Sequence, residues 1–178
     1  ELWQKADLSI FFGIVDKSGN RQFRELVWVM ARKCGKSLLA SAIASYMAFL
    51  DGEYGAKIYF VAPKLDQARI CYDAFYQMVK IEPELNALAK KRRTDVYIES
   101  TNTTVQPLPF NAKRSDGLNP HLTVADELGA WSGEAGLKQY EVLKSAMGAR
   151  KQPMILTITT ANYVDGIFDE LMMRSTAV

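Results

Sequence analysis

The chain has 178 residues, 48% of them hydrophobic and 24% charged, with a net charge of +2. Those proportions belong to one globular domain with its own core, and they exclude a mainly disordered chain or one drawn to nucleic acid by overall charge alone. Two cysteines are too few for a disulfide framework and fit a reducing compartment, and with a single histidine they leave no zinc-ligand set. No apolar run approaches the roughly 20 residues needed to cross a bilayer, and no signal peptide is visible.

From Glu1 to Asn20, Leu8, Ile10, Phe11, Phe12, Ile14 and Val15 form an apolar lead-in, expected to pack beside the first core strand and closed by a turn at Lys17-Ser18-Gly19-Asn20. A strand is predicted over Glu25 to Met30. It runs into a short basic loop, Ala31 to Gly35, which opens at Lys36-Ser37 into a helix reaching about Leu50. Leu38, Leu39, Ala42, Ile43, Tyr46, Met47 and Leu50 recur there at helical spacing. Strand, loop and helix in that order can cradle phosphates: backbone N–H groups and the helix N-terminus hold oxygens, a Lys reaches the β- and γ-phosphates, and a Ser hydroxyl binds Mg²⁺. The usual pattern has Gly where Met30 stands, so a plain surface turn competes with this reading, and a second motif has to decide between them. Gln22, Phe23 and Arg24, just upstream, are candidates for holding an adenine ring, with core packing the alternative for Phe23.

Lys57 to Ala62, KIYFVA, reads as a buried parallel strand stopped by Pro63, and Asp66 to Val79 as a second amphipathic helix. Strand and helix alternating at these lengths is the rhythm of a doubly wound parallel sheet. A short helix between Pro83 and Arg93 is expected to carry the basic run Lys90 to Arg93. Asp95 to Ser100 and Thr104 to Phe110 are predicted to form an antiparallel hairpin at the sheet edge, and Asn111 to Pro120 an exposed loop.

The second motif is His121 to Glu127, HLTVADE. A buried strand ending in two adjacent carboxylates makes physical sense where its tip faces Mg-nucleotide, since the two would otherwise repel and lose solvation. Asp126 would then hold Mg²⁺ through its water shell, and Glu127 would orient and deprotonate an attacking water. Two acids beside a helix dipole are the competing reading. Beyond Trp131-Ser132-Gly133 a helix is predicted from Leu137 to Met147. Arg150-Lys151 follows, then a strand over Met154 to Thr160 ending in Thr159-Thr160-Ala161-Asn162, and a last short helix from Asp165 to Met173. The hydroxyls and amide at that strand end could hydrogen-bond a γ-phosphate or a catalytic water; a β-branched strand end and turn is the alternative.

Ala31-Arg32-Lys33-Cys34-Gly35-Lys36-Ser37, Val124-Ala125-Asp126-Glu127 and Thr159-Thr160-Ala161 together resemble the ATPase domain of the large terminase subunit of tailed bacteriophages, from about Phe11 to Phe168. That family also dispenses with the first Gly and carries an Arg early in the loop, so Met30 fits it. The resemblance implies ATP and Mg²⁺ as ligands and places the nucleotide on Arg32, Lys33, Cys34, Gly35, Lys36, Ser37 and Leu38. It implies Mg²⁺ on Ser37 and Asp126, catalysis by Glu127 and by Arg32 at the γ-phosphate, and coupling of nucleotide state to motion at Thr159, Thr160 and Ala161. Arg114, beside Lys113, is the nearest match to a finger reaching a neighbouring subunit's ATP.

The expected fold is therefore a three-layer α/β P-loop NTPase of the RecA-like type, with a mainly parallel sheet, the Asp126 strand beside the phosphate-loop strand, and an antiparallel edge hairpin. Residues 1–178 are expected to be the motor domain of a longer chain, without the nuclease domain. The expected function is Mg²⁺-dependent ATP hydrolysis that moves double-stranded DNA, gripped by its phosphates without sequence preference, into a procapsid. The expected partners are DNA, a ring of identical subunits, a pentamer by resemblance, the portal protein and the small terminase subunit, in the host cytoplasm and with no membrane role. Lys90 to Arg93 and Arg150-Lys151 are candidate DNA contacts. A helicase-like translocase, a non-hydrolysing nucleotide-binding module and a small-molecule kinase are the rivals.

Overall fold

In a computed structural model the residues described are 1–109, 117–131, 133–160, 169 and 171–173. The apolar runs become strands: β1 (Glu25–Val29), β2 (Lys57–Ala62), β3 (Ala89–Lys91), β4 (Val96–Ile98), β5 (Thr103–Pro109), β6 (Leu122–Asp126) and β7 (Met154–Thr159). Among the described residues they make one seven-stranded sheet in the order β1-β7-β6-β2-β5-β4-β3. β1, β7, β6, β2 and β5 run parallel, while β4 and β3 close the far edge antiparallel. The mainly parallel sheet and edge hairpin match the expectation. The phosphate-loop strand does not lie beside the Asp126 strand, however, because β7 pairs with both and separates them.

The parallel strands are apolar on both faces because both faces are covered. In β2, Ile58 and Phe60 join a cluster with Ile43, Met47, Cys71 and Phe75, which belong to α2 (Lys36–Phe49) and α3 (Leu65–Ile81). The alternate residues Tyr59 and Val61 face Tyr140 and Leu143 of α5 (Gly133–Ala146). This alternation gives three layers, with the sheet in the middle. α1 (Leu2–Gly13) covers the β1 edge by burying Phe11 and accepting at Asp7 Oδ2 a hydrogen bond from Trp28 Nε1 at 3.0 Å. The apolar lead-in thus packs as expected only in part, in helical form, through Leu8, Phe11 and Phe12, while Ile10, Ile14 and Val15 stay exposed; its turn closes as Asp16 Oδ1 accepts the N–H groups of Ser18 and Asn20.

The helix before the basic run, α4 (Pro83–Leu88), begins at a proline suited to a first turn and ends at Ala89. Lys90 and Lys91 therefore lie on strand β3 rather than on a helix. Lys90 pairs with Glu99, and the Lys91 ammonium stands 4.5 Å from the Tyr72 ring centre. Arg150 is withdrawn from any DNA-contacting role: its guanidinium is spent on Glu53, Asn119 and the Tyr54 and Gly55 carbonyls. Of that pair of basic residues, only Lys151 is exposed.

Candidate active site

In a parallel sheet the crevice beyond the carboxyl ends of the strands is where ligands gather. Here β1, β7 and β6 deliver three of the sequence motifs to that one end. The basic loop leaves β1 with the Met30 N–H donating to the Thr159 carbonyl of β7 at 3.0 Å. It turns with positive φ at Lys33 (64°) and Gly35 (77°). A Cβ on Gly35 would meet nothing within 4 Å, so the backbone conformation, not lack of space, is what calls for glycine. No side chain caps α2 at Gly35, which leaves the first N–H groups of the helix free for an anion. Arg32, Lys33, Cys34 and Leu38 are exposed around this cradle, and Ser37 is half-buried.

Lys36 is buried, and its Nζ donates to Glu127 Oε1 at 3.3 Å, joining residues 91 positions apart in the chain. Glu127 adopts φ 53°, ψ 46°, a left-handed turn that carries its side chain off the line of β6. The turn is braced by the Glu127 N–H donating to the Ile158 carbonyl at 2.9 Å and by Trp131 Nε1 donating to the Asp126 carbonyl at 3.0 Å. Asp126, in register with Ile158, lies on the face shared with α2 and α3. Burial pushes its carboxyl above the ordinary range, and the neighbouring Glu127 adds to the rise, while a hydrogen bond from Cys71 and the charge of Lys36 oppose it. Cys71 Sγ donates to Asp126 Oδ2 at 3.5 Å and also meets the Ser37 hydroxyl. The other oxygen, Oδ1, is buried with no protein partner.

That orphaned oxygen, on a carboxylate linked through Cys71 to Ser37 on the first turn of α2, suits a Mg²⁺ shared with phosphate and water oxygens. Among the described residues no group of three or more His, Cys, Asp or Glu is placed to hold a metal unaided, so Ser37 and Asp126 would supply only part of its shell. Thr159 touches both sides of the site: its carbonyl takes the Met30 N–H, and its hydroxyl accepts the Gly129 N–H at 3.1 Å while donating to the Thr160 carbonyl at 3.1 Å. Ala161 and Arg114 lie outside the described residues.

Gln22, Phe23 and Arg24 precede β1, whereas the loop follows it. The strand between them spans roughly 17 Å for five residues, which takes these three out of reach of a base at the loop. Phe23 is also 40% exposed, so the core role fails as well. The sequence reading missed Cys71 as a site residue, because in the chain it is one more apolar position on α3. It missed Trp131 for want of any local signal that an indole would brace a carbonyl five residues earlier.

The family model for the terminase large subunit ATPase domain matches residues 2–173. The chain belongs to that family. Its fold is also that of solved relatives. The bacteriophage HK97 large terminase superposes with a TM-score of 0.82 at 18% identity, over 99% of this chain and 36% of that one. The ATPase domain of the Thermus phage P74-26 large terminase, as a point mutant, gives 0.67 at 18% identity, covering 94% and 74%. The large terminase of a thermophilic bacteriophage in complex with ADP gives 0.62 at 11%, covering 88% and 37%. No curated protein matches the chain. Among the described residues no helix is long and apolar enough to cross a membrane.

Proposed function

We propose that this terminase domain binds ATP with Mg²⁺, hydrolyses it, and uses the cycle to move double-stranded viral DNA into a procapsid. The observation that carries the proposal is the meeting of Lys36 and Glu127 at 3.3 Å over a buried Asp126 with one unpartnered oxygen. Lys36 and the loop N–H groups would take the β- and γ-phosphates, drawing the ammonium from Glu127 and freeing its carboxylate for the attacking water. Ser37 and Asp126 would share Mg²⁺, which offsets charge on the phosphates. Glu127 would accept the water's proton as the oxygen attacks the γ-phosphorus and ADP departs, with Arg32 meeting the charge that develops there.

Thr159, Thr160 and Ala161 would pass the nucleotide state on, a role supported by Thr159 bonding to both the loop and the turn after Asp126. Arg114 would act on the ATP of an adjacent copy in a ring, and the ring would dock on the portal with the small subunit in the host cytoplasm. Lys90 to Arg93 and Lys151 would contact DNA phosphates without reading sequence. The chain spans 36% of the HK97 protein's length, and no nuclease step is proposed for this domain. A module that only binds nucleotide would need Lys36 and Asp126 but would have little use for Glu127.

The test is hydrolysis by Glu127→Gln at high protein concentration, with Mg-ATP binding followed in parallel. Loss of a general base predicts a fall of about 10²–10⁴-fold in turnover with binding retained. Turnover unchanged in the variant would remove Glu127 from the mechanism, and binding without hydrolysis by both proteins, even with added DNA, would favour the module.

A further inference from the structure

The carboxyl group of an Asp turns about a broad, two-fold terminal torsion, so a buried one that must present a given oxygen to a metal needs something to hold the other. In this structure the holder comes from α3, a helix outside all three sequence motifs. Cys71, fully buried there, donates from Sγ to Asp126 Oδ2 at 3.5 Å and meets the Ser37 hydroxyl as well. One sulfur therefore touches both side chains that would share Mg²⁺. The backbone that carries it is fixed at the same level. Ser41, also fully buried, directs its hydroxyl at the Ser37 carbonyl, at 2.7 Å, and at the Cys71 carbonyl, at 2.8 Å. That hydroxyl ties the first turn of α2 to the turn of α3 from which Cys71 reaches Asp126.

We propose that Cys71 is a positioning residue for the metal, the contact that holds Asp126 and Ser37 in the relative geometry a Mg²⁺ shell requires. The inference rests on the Mg²⁺ reading of Ser37 and Asp126 and deepens it by naming what sets their arrangement. A thiol suits the task because S–H is a weak donor. At 3.5 Å it directs Oδ2 without neutralising the carboxylate as an ammonium would, and it leaves Oδ1, which has no protein partner, for the metal's water shell. Sulfur is an equally weak acceptor, so the Ser37 hydroxyl is steadied without being tied down. A hydroxyl in place of the thiol would serve less well. Its reach is shorter, and a serine on a helix can turn back to the carbonyl four residues earlier, as Ser41 does to Ser37. The role also gives a reason for a cysteine on the buried face of α3, where packing alone would be met by any small apolar side chain.

The test measures ADP affinity as Mg²⁺ is titrated, and again in EDTA, for the wild-type domain and for Cys71→Ala, Cys71→Val, Cys71→Ser and Asp126→Asn, each below its own Tm. Cys71→Ala and Cys71→Val are expected to raise the Mg²⁺ concentration that tight ADP binding needs by about ten- to a hundredfold, the usual cost of removing a group that orients a metal ligand. ADP affinity in EDTA should stay at the wild-type value, and Cys71→Ser should recover part of the loss. Valine fills the space that alanine leaves, so an effect in Cys71→Ala that is absent in Cys71→Val would overturn the proposal as a cavity effect. A wild-type Mg²⁺ requirement in Cys71→Ala, with Asp126→Asn losing its response to Mg²⁺, would overturn the positioning role and leave the metal reading standing. Equal weakening with Mg²⁺ and in EDTA would overturn it too, since Cys71 would then act through the packing of α2 and the loop. ADP binding that is indifferent to Mg²⁺ in wild type, or that responds to it normally in Asp126→Asn, would overturn the metal reading and the inference together.

Discussion

Asp126 is a carboxylate the fold keeps at a cost. Burial raises its pKa, so its folded value lies above its unfolded one. The sign follows from linkage: its favourable contribution is complete below the unfolded pKa and is lost as pH rises through the folded value, so at neutral pH the ionised group opposes folding. Cys71, whose thiol burial pushes to about 12, stays a donor at working pH and can soften that cost without removing it. Asp126→Asn is therefore expected to stabilise the nucleotide-free domain by about 0.5–2 kcal/mol while abolishing the Mg²⁺-dependence of nucleotide binding, the usual opposition of stability and function. Thermal unfolding across pH checks it: the gain should be present at neutral pH and shrink toward about pH 4, near the ordinary Asp value. A variant no more stable than wild type at neutral pH would refute the account. The roles of Asp126 and Glu127 could be suggested from sequence because two carboxylates at the end of a buried strand demand a charge nearby. Cys71 could not, because its meeting with Asp126 depends on how α3 lies on the sheet.

At the scale of elements, most of the strands and helices were legible because each carries its own period: continuous apolar runs for β2, β6 and β7, and three- and four-residue spacing for α2 and α3. The placement of β7 between β1 and β6 was not. Strand order is decided by crossovers that no local pattern records, and it matters because only from that position can Thr159 touch both the loop and the turn after Asp126. The basic run misled for a related reason: Lys and Arg are good helix formers, and antiparallel pairing with β4 overrides that preference for Lys90 and Lys91. The helix α5 shows how an element holds the site from behind. A Cβ at Gly136 would come within 2.6 Å of the Trp131 carbonyl oxygen, and Trp131 is the residue whose indole braces the Asp126 carbonyl. Gly136→Ala is expected to cost about 1–3 kcal/mol through overpacking and to weaken nucleotide binding, whereas Gly148→Ala, with nothing within 4 Å, should be neutral or slightly stabilising. Urea unfolding of the two variants side by side measures this, and equal stabilities would show that α5 can shift away from Trp131 freely.

The molecule as a whole places a buried electrostatic tie at the end of the sheet remote from the site. Arg21 precedes β1, His121 precedes β6, Gln152 precedes β7, and Asp51 follows α2; all four meet. Asp51 Oδ2 lies 2.6 Å from His121 Nε2 and accepts from Arg21 at 3.1 Å, its other oxygen pairs with Arg21, and the Arg21 N–H donates to Gln152 Oε1 at 2.8 Å. Burial alone would raise the Asp51 pKa, but the hydrogen bonds from His121 and Arg21 and their charges outweigh it and hold the carboxyl below its ordinary range. The sign is opposite to that of Asp126: this contribution is present above the unfolded value of about 3.9 and lost as pH falls through the folded one. Breaking the tie from one side would strand the Arg21 guanidinium, whose side chain is 7% exposed, so Asp51→Asn is expected to lose about 3 kcal/mol at neutral pH. The gap from wild type should narrow below about pH 4, where wild type loses the same charge. Because the tie joins the opposite ends of the strands that carry the loop, Asp126 and Thr159, ADP affinity measured below the variant's Tm should stay at the wild-type value. A stability gap that is the same at acid and neutral pH would show that Asp51 acts by shape rather than charge. A folded variant with weakened ADP binding would show instead that the two ends of the sheet are coupled, so that a change at the Asp51 end reaches the loop along the length of the strands.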